Sequence, residues 1–461
     1  MRRLPLCRTP SKILIALLLI ASFCPNITAE SIGEPSAKDR QITLTVRILM
    51  TRQHLTKHKL DDEISQRALV TFLKALDPMK LYFLQSDIDE FDAKKNDIDD
   101  MINDGKLEFA FTVFDRLMER MVVSVTAANR MIDEKHDFTV DEYLSTDWDN
   151  LTYAADRTAL DDRWRKRIKY NLLVLKGDET EGDEARQRLH RRYNSLLKQM
   201  QQTKTDELLE MFLTAVTTSY DPHTTYMSPT TLENFEIQMR LNLDGIGAQL
   251  TLEDGYTNIT KIITGGAADQ QGDLTVKDRI VSVGQGADGE MVDVIDMKLN
   301  DVVAKIRGKA GTTVRLGIIH DGSAETVELK IVRAKIQLRD SEAKGKIIEH
   351  QLGADSKTYK VGIINLPSFY MDMEAARKGV KDYRSTTRDV RVIIDGFKKD
   401  GVDAIVMDLS TNGGGSLTEA IDLTGLFIDQ GTVVQVKSPS GEVQQYDDRN
   451  PGTAWDGPLV V

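Results

Sequence analysis

The stretch Ala404-Ile405-Val406-Met407-Asp408-Leu409-Ser410-Thr411-Asn412-Gly413-Gly414-Gly415-Ser416-Leu417 decides how the C-terminal part of this chain folds. It opens with a continuous apolar run, which fits a strand buried on both faces. Three glycines follow. Leu417, Ala420, Ile421 and Thr424 then recur on one helical face. Strand, glycine turn and helix together make an α/β unit. Consecutive glycines let the backbone approach a ligand and turn its N–H groups outward. At a helix N-terminus such donors hold a phosphate or stabilise an oxyanion. The turn lacks the ending of a phosphate loop and the G-x-G-x-x-G spacing of a dinucleotide site. A purely structural glycine turn is the alternative. Ser416 stands beside the glycines but is not framed as G-x-S-x-G.

Upstream, Val361–Leu366 reads as a further strand and Asp389–Lys399 as a helix, so the α/β character begins near Ile336. Between about Leu241 and that point the composition shifts. Gly245, Gly247, Gly255, Gly265, Gly266 and Gly272 arrive in quick succession, around short β-branched runs at Asn258–Ile263 and Arg279–Val283. Leu299, Val302, Val303 and Ile306 mark one helix, and Val314–Ile319 with Thr326–Val332 a closing strand pair. This is a small β-rich module. Within it, Leu243-Asp244-Gly245-Ile246-Gly247-Ala248-Gln249-Leu250 is a glycine turn leading into a strand. Consecutive backbone donors there suit capture of a C-terminal carboxylate, the peptide then adding to the strand's edge. An ordinary hairpin is the alternative.

From about Glu30 to Glu236 the pattern is helical. Leu69, Phe72, Leu73 and Leu76 share a face, as do Phe114, Leu117, Met118 and Met121, and Leu209, Phe212, Leu213 and Val216. Asp77-Pro78 and Asp221-Pro222 read as helix stops. Some apparent motifs carry no chemistry. His54 and His58 have metal-ligand spacing but no glutamate base and no clear third ligand, and no metal site is expected. Ser195–Lys198 and Ser341–Lys344 match S-x-x-K without its companion motifs. Asp221-Pro222-His223 reads as a capped helix end.

The ends of the chain carry expectations of their own. Arg2, Arg3, Arg8 and Lys12 form a basic region ahead of the apolar run Ile13–Phe23, and Ile27-Thr28-Ala29 resembles a cleavage site. The run is too short to span a bilayer. Residues 1–29 are therefore read as a secretory signal peptide, with an uncleaved anchor as the alternative. Phe23 before Cys24 argues against a lipoprotein. Cleavage after Ala29 removes both cysteines, Cys7 and Cys24, which suits an exported, periplasmic protein that folds without disulfides. At the other end, Gly457-Pro458-Leu459-Val460-Val461 reads as a buried strand just starting. Across 461 residues, 41% apolar and 29% charged residues exclude a disordered, collagen-like or polytopic membrane chain. A formal charge of -12 argues against nucleic-acid binding.

Taken in order, Asp221–Pro229, Gly245–Ala248, Asp301–Thr312 and Asp408–Leu417 resemble the tail-specific, or carboxyl-terminal processing, serine proteases. Leu73–Pro78 and Tyr82–Asp89 favour the long periplasmic form. The resemblance implies a multidomain α+β chain: a helical N-terminal domain (30–236), a β-rich PDZ domain (237–335) and the start of an α/β protease core (336–461). It implies a carboxylate loop at Gly245, Ile246, Gly247 and Ala248, and a peptide groove beside the helix carrying Val302 and Val303. It also implies oxyanion N–H groups at Gly413 and Gly414. Protein substrates with apolar C-terminal tails are the expected partners, with no small-molecule cofactor and no nucleic acid; an adaptor is not identifiable. The family works by a Ser nucleophile and a Lys base. By resemblance both lie beyond the strand at Leu459, so the chain is expected to be an incomplete, inactive piece. A PDZ binding module without catalysis is the alternative. Ser410 stands where the family usually has Arg, and Ala267 where it usually has Pro.

Overall fold

The computed structural model describes residues 32–352 and 357–461. The expected signal peptide lies outside the described residues. Nine helices lead the described chain: α1 (Ala37–Gln53), α2 (Asp62–Leu76), α3 (Gln85–Asp92), α4 (Ile98–Asp104), α5 (Glu108–Asp133), α6 (Arg157–Gly177), α7 (Gly182–Gln201), α8 (Thr205–Thr218) and α9 (Pro229–Arg240). Helix α2 shows why the sequence folds this way. Asp61 caps its start by accepting the N–H groups of Glu63 (3.2 Å) and Ile64 (3.3 Å). The face bearing Leu69, Phe72, Leu73 and Leu76 is buried, and Phe72 meets Phe212 of α8 edge-on at 5.2 Å. The helix stops at Asp77, whose buried carboxylate accepts the N–H groups of Leu81, Tyr82 and Phe83 at 2.8–3.0 Å. Burial pushes the Asp77 carboxyl above its ordinary pKa despite these donors. Trp164, Phe83, Phe114 and Leu117 complete one continuous apolar core. Each such side chain contributes about 1.5–3 kcal/mol by leaving water.

The β-rich module follows. Its elements are β1 (Asn242–Gly245), β2 (Ala248–Glu253), β3 (Tyr256–Ile262), α10 (Ala267–Gln271), β4 (Arg279–Gln285), β5 (Met291–Asp293), α11 (Leu299–Ile306), β6 (Thr313–Ile319), β7 (Thr326–Val332) and β8 (Ala334–Gln337). Strands run in the order β2-β3-β4-β6-β7, with β5 also on β4. Separately, β1 pairs antiparallel with β8. The N–H of Leu338 donates to the carbonyl of Leu241 (2.9 Å), so the chain enters and leaves the module at one two-stranded stem. Helix α9 crosses the boundary expected at 236/237, and the stem runs to Gln337, two residues past the expected end.

The last unit contains β9 (Lys344–Leu352), β10 (Lys357–Asn365), α12 (Met373–Arg377), α13 (Thr386–Lys399), β11 (Ala404–Asp408), α14 (Leu417–Thr424), the hairpin β12 (Gly431–Lys437) and β13 (Val443–Asp448), and β14 (Leu459–Val460). Its sheet order is β14-β11-β10-β9. Strands β10, β11 and β14 are parallel, and β9 is antiparallel to β10. The apolar run at Ala404–Asp408 is indeed a strand, but it is not buried on both faces. Ile405 and Met407 are buried while Ala404, Val406 and Asp408 are only half-buried. The buried face packs with Val390, Ile394 and Phe397 of α13, and with Tyr370, Leu423 and Trp455.

The helical and β-rich parts are joined by charge. Arg188 and Arg192 of α7 both reach Asp254 (2.7 and 3.0 Å), in the turn between β2 and β3. Ser195 and Lys198 converge on Asp296, with Lys198 at 2.6 Å. Ser195 and Lys198, which match S-x-x-K, thus serve an inter-domain contact.

Candidate functional site

Both glycine turns line one cleft of about 990 Å³. On one side lie Gly245, Ile246, Gly247, Ala248 and Leu250. Leu299, Val303 and Ile306 of α11 face them, Phe235 and Gln238 of α9 add a wall, and Thr411, Gly413, Gly414 and Gly415 close the far end.

The first turn is shaped to present donors. Ile246 is buried in the module core and fixes the loop. Gly247 has φ +81°, and a Cβ there would lie 3.0 Å from Gly266 Cα and 3.2 Å from Ile336 Cδ1. Conformation and space both require glycine. The N–H of Ala268 donates to the Ile246 carbonyl and that of Ile263 to the Gly247 carbonyl, each at 2.8 Å. A trans peptide points its N–H opposite to its carbonyl. The N–H groups of Gly247 and Ala248 therefore face away from those contacts. Among the described residues, strand β2 ends its sheet and no strand pairs with its outer edge.

The two valines of α11 separate. Val303 lines the cleft. Val302 is fully buried among Ile306, Leu316 and Ile318, and serves the core rather than the groove. A single apolar helical face is wide enough to serve both.

At the second turn the N–H of Gly413 donates to the Pro367 carbonyl (3.1 Å), and that of Gly414 to Asn412 Oδ1 (2.8 Å). Both N–H groups expected to meet an oxyanion are thus satisfied within the protein. Asn412 Nδ2 donates in turn to the Leu366 carbonyl (2.9 Å). Gly415 has φ +146°, and a Cβ there would lie 2.3 Å from the Phe369 carbonyl oxygen. That approach lets Phe369 N–H donate to Gly414 O (2.9 Å) and Ser416 N–H donate to Phe369 O (2.8 Å). Ser416 is buried and its hydroxyl accepts the Glu419 N–H (3.4 Å), a cap for α14 rather than a nucleophile. Where an Arg was expected, Ser410 donates its hydroxyl (2.6 Å) and its N–H (3.0 Å) to Asp408 Oδ1. These bonds hold the Asp408 carboxyl below its ordinary pKa.

Other sequence features lie away from the cleft. His54 Nε2 contacts Asp221 Oδ2 at 2.6 Å and Thr224 Oγ1 at 3.1 Å. Asp221 caps no helix; it organises a turn by accepting the N–H groups of His223 (2.7 Å) and Thr224 (2.9 Å). The His223 N–H, the Thr224 hydroxyl and His54 bring its pKa down to about 2. Among the described residues, no group of three or more His, Cys, Asp or Glu is placed to hold a metal ion. No helix among them is long and apolar enough to cross a membrane.

Three family models match in succession: tail specific protease N-terminal domain at residues 45–230, PDZ domain at 235–319, and peptidase family S41 at 360–461. A tail-specific protease from Haemophilus influenzae is 32% identical over 440 residues, covering 95% of this chain and 60% of that protein. The carboxy-terminal processing protease CtpA of Bacillus subtilis is 28% identical over 275 residues, covering 59% of this chain and 52% of that one. The crystal structure of the PDZ domain of a carboxy-terminal protease from Vibrio cholerae, in complex with peptide, is 40% identical and covers 21% of this chain and all of that one, with a TM-score of 0.21. This chain therefore spans between half and two thirds of the length of these two full relatives. Three matched units, in the order in which the chain folds them, make this protein a member of the tail-specific protease family.

Proposed function

We propose that this chain is the tail-recognition and oxyanion-bearing part of an exported serine endopeptidase that selects proteins by an apolar C-terminal tail. The observation that carries the reading is the shared cleft: the loop Gly245–Ala248 and the turn Gly413–Gly415 line the same cavity. A tail would enter between β2 and α11, add to the outer edge of β2, and place its carboxylate on the Gly247 and Ala248 N–H groups. Leu250, Leu299 and Val303 offer the apolar surface for its side chains. At the cleft's far end the glycine turn would stabilise the developing oxyanion once Gly413 and Gly414 release their present acceptors. Nucleophilic attack would come from a Ser activated by a Lys base; no residue of this sequence is assigned to either role. The basic, apolar leader at 1–29 supports export to the periplasm.

Fluorescence anisotropy tests the reading with a labelled peptide ending in three alanines, as free acid and as amide. The free acid should bind at least about tenfold tighter, the equivalent of about 1.4 kcal/mol. Equal binding of the two forms would refute it. A second reading, tail binding without hydrolysis, is favoured by the internally satisfied N–H groups of Gly413 and Gly414. The gene separates the two. A reading frame that continues past the Val461 codon into a Ser and a Lys supports the protease, and an in-frame stop there supports the binding module.

A further inference from the structure

Helix α11 forms one wall of the tail cleft, so whatever positions α11 sets the width of the groove. Its own module holds it through Val302 and Ile306, both buried in the core, Ile306 also bordering the cleft. The beginning of the helix is held differently. Lys298, at the N-cap, makes no side-chain cap. Its contacts come from the helical domain, at the corner between α7 and α8. Gln202 Oε1 accepts the Lys298 N–H (3.1 Å), and the Lys298 ammonium reaches Thr203 Oγ1 (3.0 Å) and the Glu207 carboxylate. One turn further, Lys204 pairs with Asp301 at 2.5 Å. Just before the helix, Gln202 Nε2 donates to the Asp296 carbonyl (2.9 Å). Leu299 and Asn300, between the two clamped positions, line the cleft. The Lys298 and Glu207 side chains are 20% and 28% exposed, so this pair is less screened than a surface ion pair.

We propose that the α7–α8 corner is a specificity-determining part of tail binding: it holds the first turn of α11 at the separation from β2 that an apolar tail fills. The proposal rests on the tail-binding reading above. Lys298 and Glu207 are positioning residues that do not touch the tail. The helical domain thereby takes part in peptide selection, although its residues at this corner lie outside the groove.

The test uses the full chain, the alanine-ended free-acid peptide and its amide, with anisotropy for affinity and stopped flow for rates. Lys298→Glu and Glu207→Lys should each weaken free-acid binding by about fivefold or more, mainly through faster dissociation. The double charge swap should return affinity to within about twofold of the unsubstituted chain. Melting followed by circular dichroism confirms folding. If a charge reversal unfolds the chain, Gln202→Ala removes one clamp without adding charge and should weaken binding about threefold. Unchanged affinity in folded single variants, or a double variant as weak as the singles, would overturn the proposal. An unsubstituted chain that binds acid and amide alike instead overturns the tail-binding reading, and this inference with it.

Discussion

Alanine at each glycine of the second turn separates three backbone requirements. Gly413 has no positive φ and no atom within 4 Å of its would-be Cβ. Alanine there should not destabilise the turn and should favour it by about 0.4–1 kcal/mol, because the unfolded chain then has fewer conformations to lose. Gly414 also has open space, but its φ is +95°. The left-handed conformation costs an alanine about 1–2 kcal/mol. Gly415 combines φ +146° with the backbone of Phe369 pressed against it: its Cβ would lie 2.3 Å from Phe369 O and 2.8 Å from Phe369 N. Backbone cannot swing aside as a side chain can. The Phe369–Gly414 and Ser416–Phe369 hydrogen bonds must break, at about 1 kcal/mol each. With the conformational term the total is about 3–4 kcal/mol. A global melt of a multidomain chain does not report one free energy. Native-state hydrogen exchange of peptides from 404–424, read by mass spectrometry, does report local opening. Gly415→Ala should speed exchange of the protected amides by about two to three orders of magnitude and Gly414→Ala by about tenfold, while Gly413→Ala should not speed it. Equal effects at Gly413 and Gly415, or a larger effect at Gly413, would refute the packing argument.

Two further outcomes follow from neighbouring geometry. Val302→Ala should destabilise the PDZ domain by about 2 kcal/mol, seen as faster exchange in β4 and β6, whereas Val303→Ser should leave exchange unchanged and weaken tail binding about fivefold. Asp221 has a folded pKa of about 2 against an ordinary 3.8. It therefore contributes stability that is complete above about pH 4 and fades as pH falls toward 2. Urea midpoints across that window should fall with acid, and Asp221→Asn should flatten the slope; an unchanged slope would show that the carboxylate contributes nothing there.

The elements that periodicity marks most strongly were legible. Leu299–Ile306 and Thr326–Val332 fold over the residues read from the pattern, and Ala404–Asp408 falls one residue short. Both glycine turns stood out because glycine is rare outside places that need it. Four things were not legible, for physical reasons. Periodicity puts Val302 and Val303 on one face, yet a face that wide meets both a core and a groove. Partners distant in sequence settle the state of the second turn: the Pro367 carbonyl takes the Gly413 N–H, and no local pattern announces that. Ser195 and Lys198 showed no role in the sequence because their common partner, Asp296, lies about a hundred residues on. The pairing of β1 with β8 went unread, since strand pairing across long separations leaves no local trace; the hairpin β12–β13 closes locally over Pro439 and Gly441, turn residues that could have announced it.

The two-stranded stem has a mechanical meaning. Met239, on the leg that enters it, accepts the N–H of Met371 (2.9 Å). On the leg that leaves it, the N–H of Ala343 donates to the Tyr370 hydroxyl (3.1 Å). Both legs thus rest on residues 370–371, next to Phe369, which grips Gly414 and Ser416. The PDZ domain is braced by α7 and α8 on one side and stands on a short stalk whose footing is shared with the glycine turn. A rocking of that stalk by a captured tail would bear first on the bonds that now keep the turn closed.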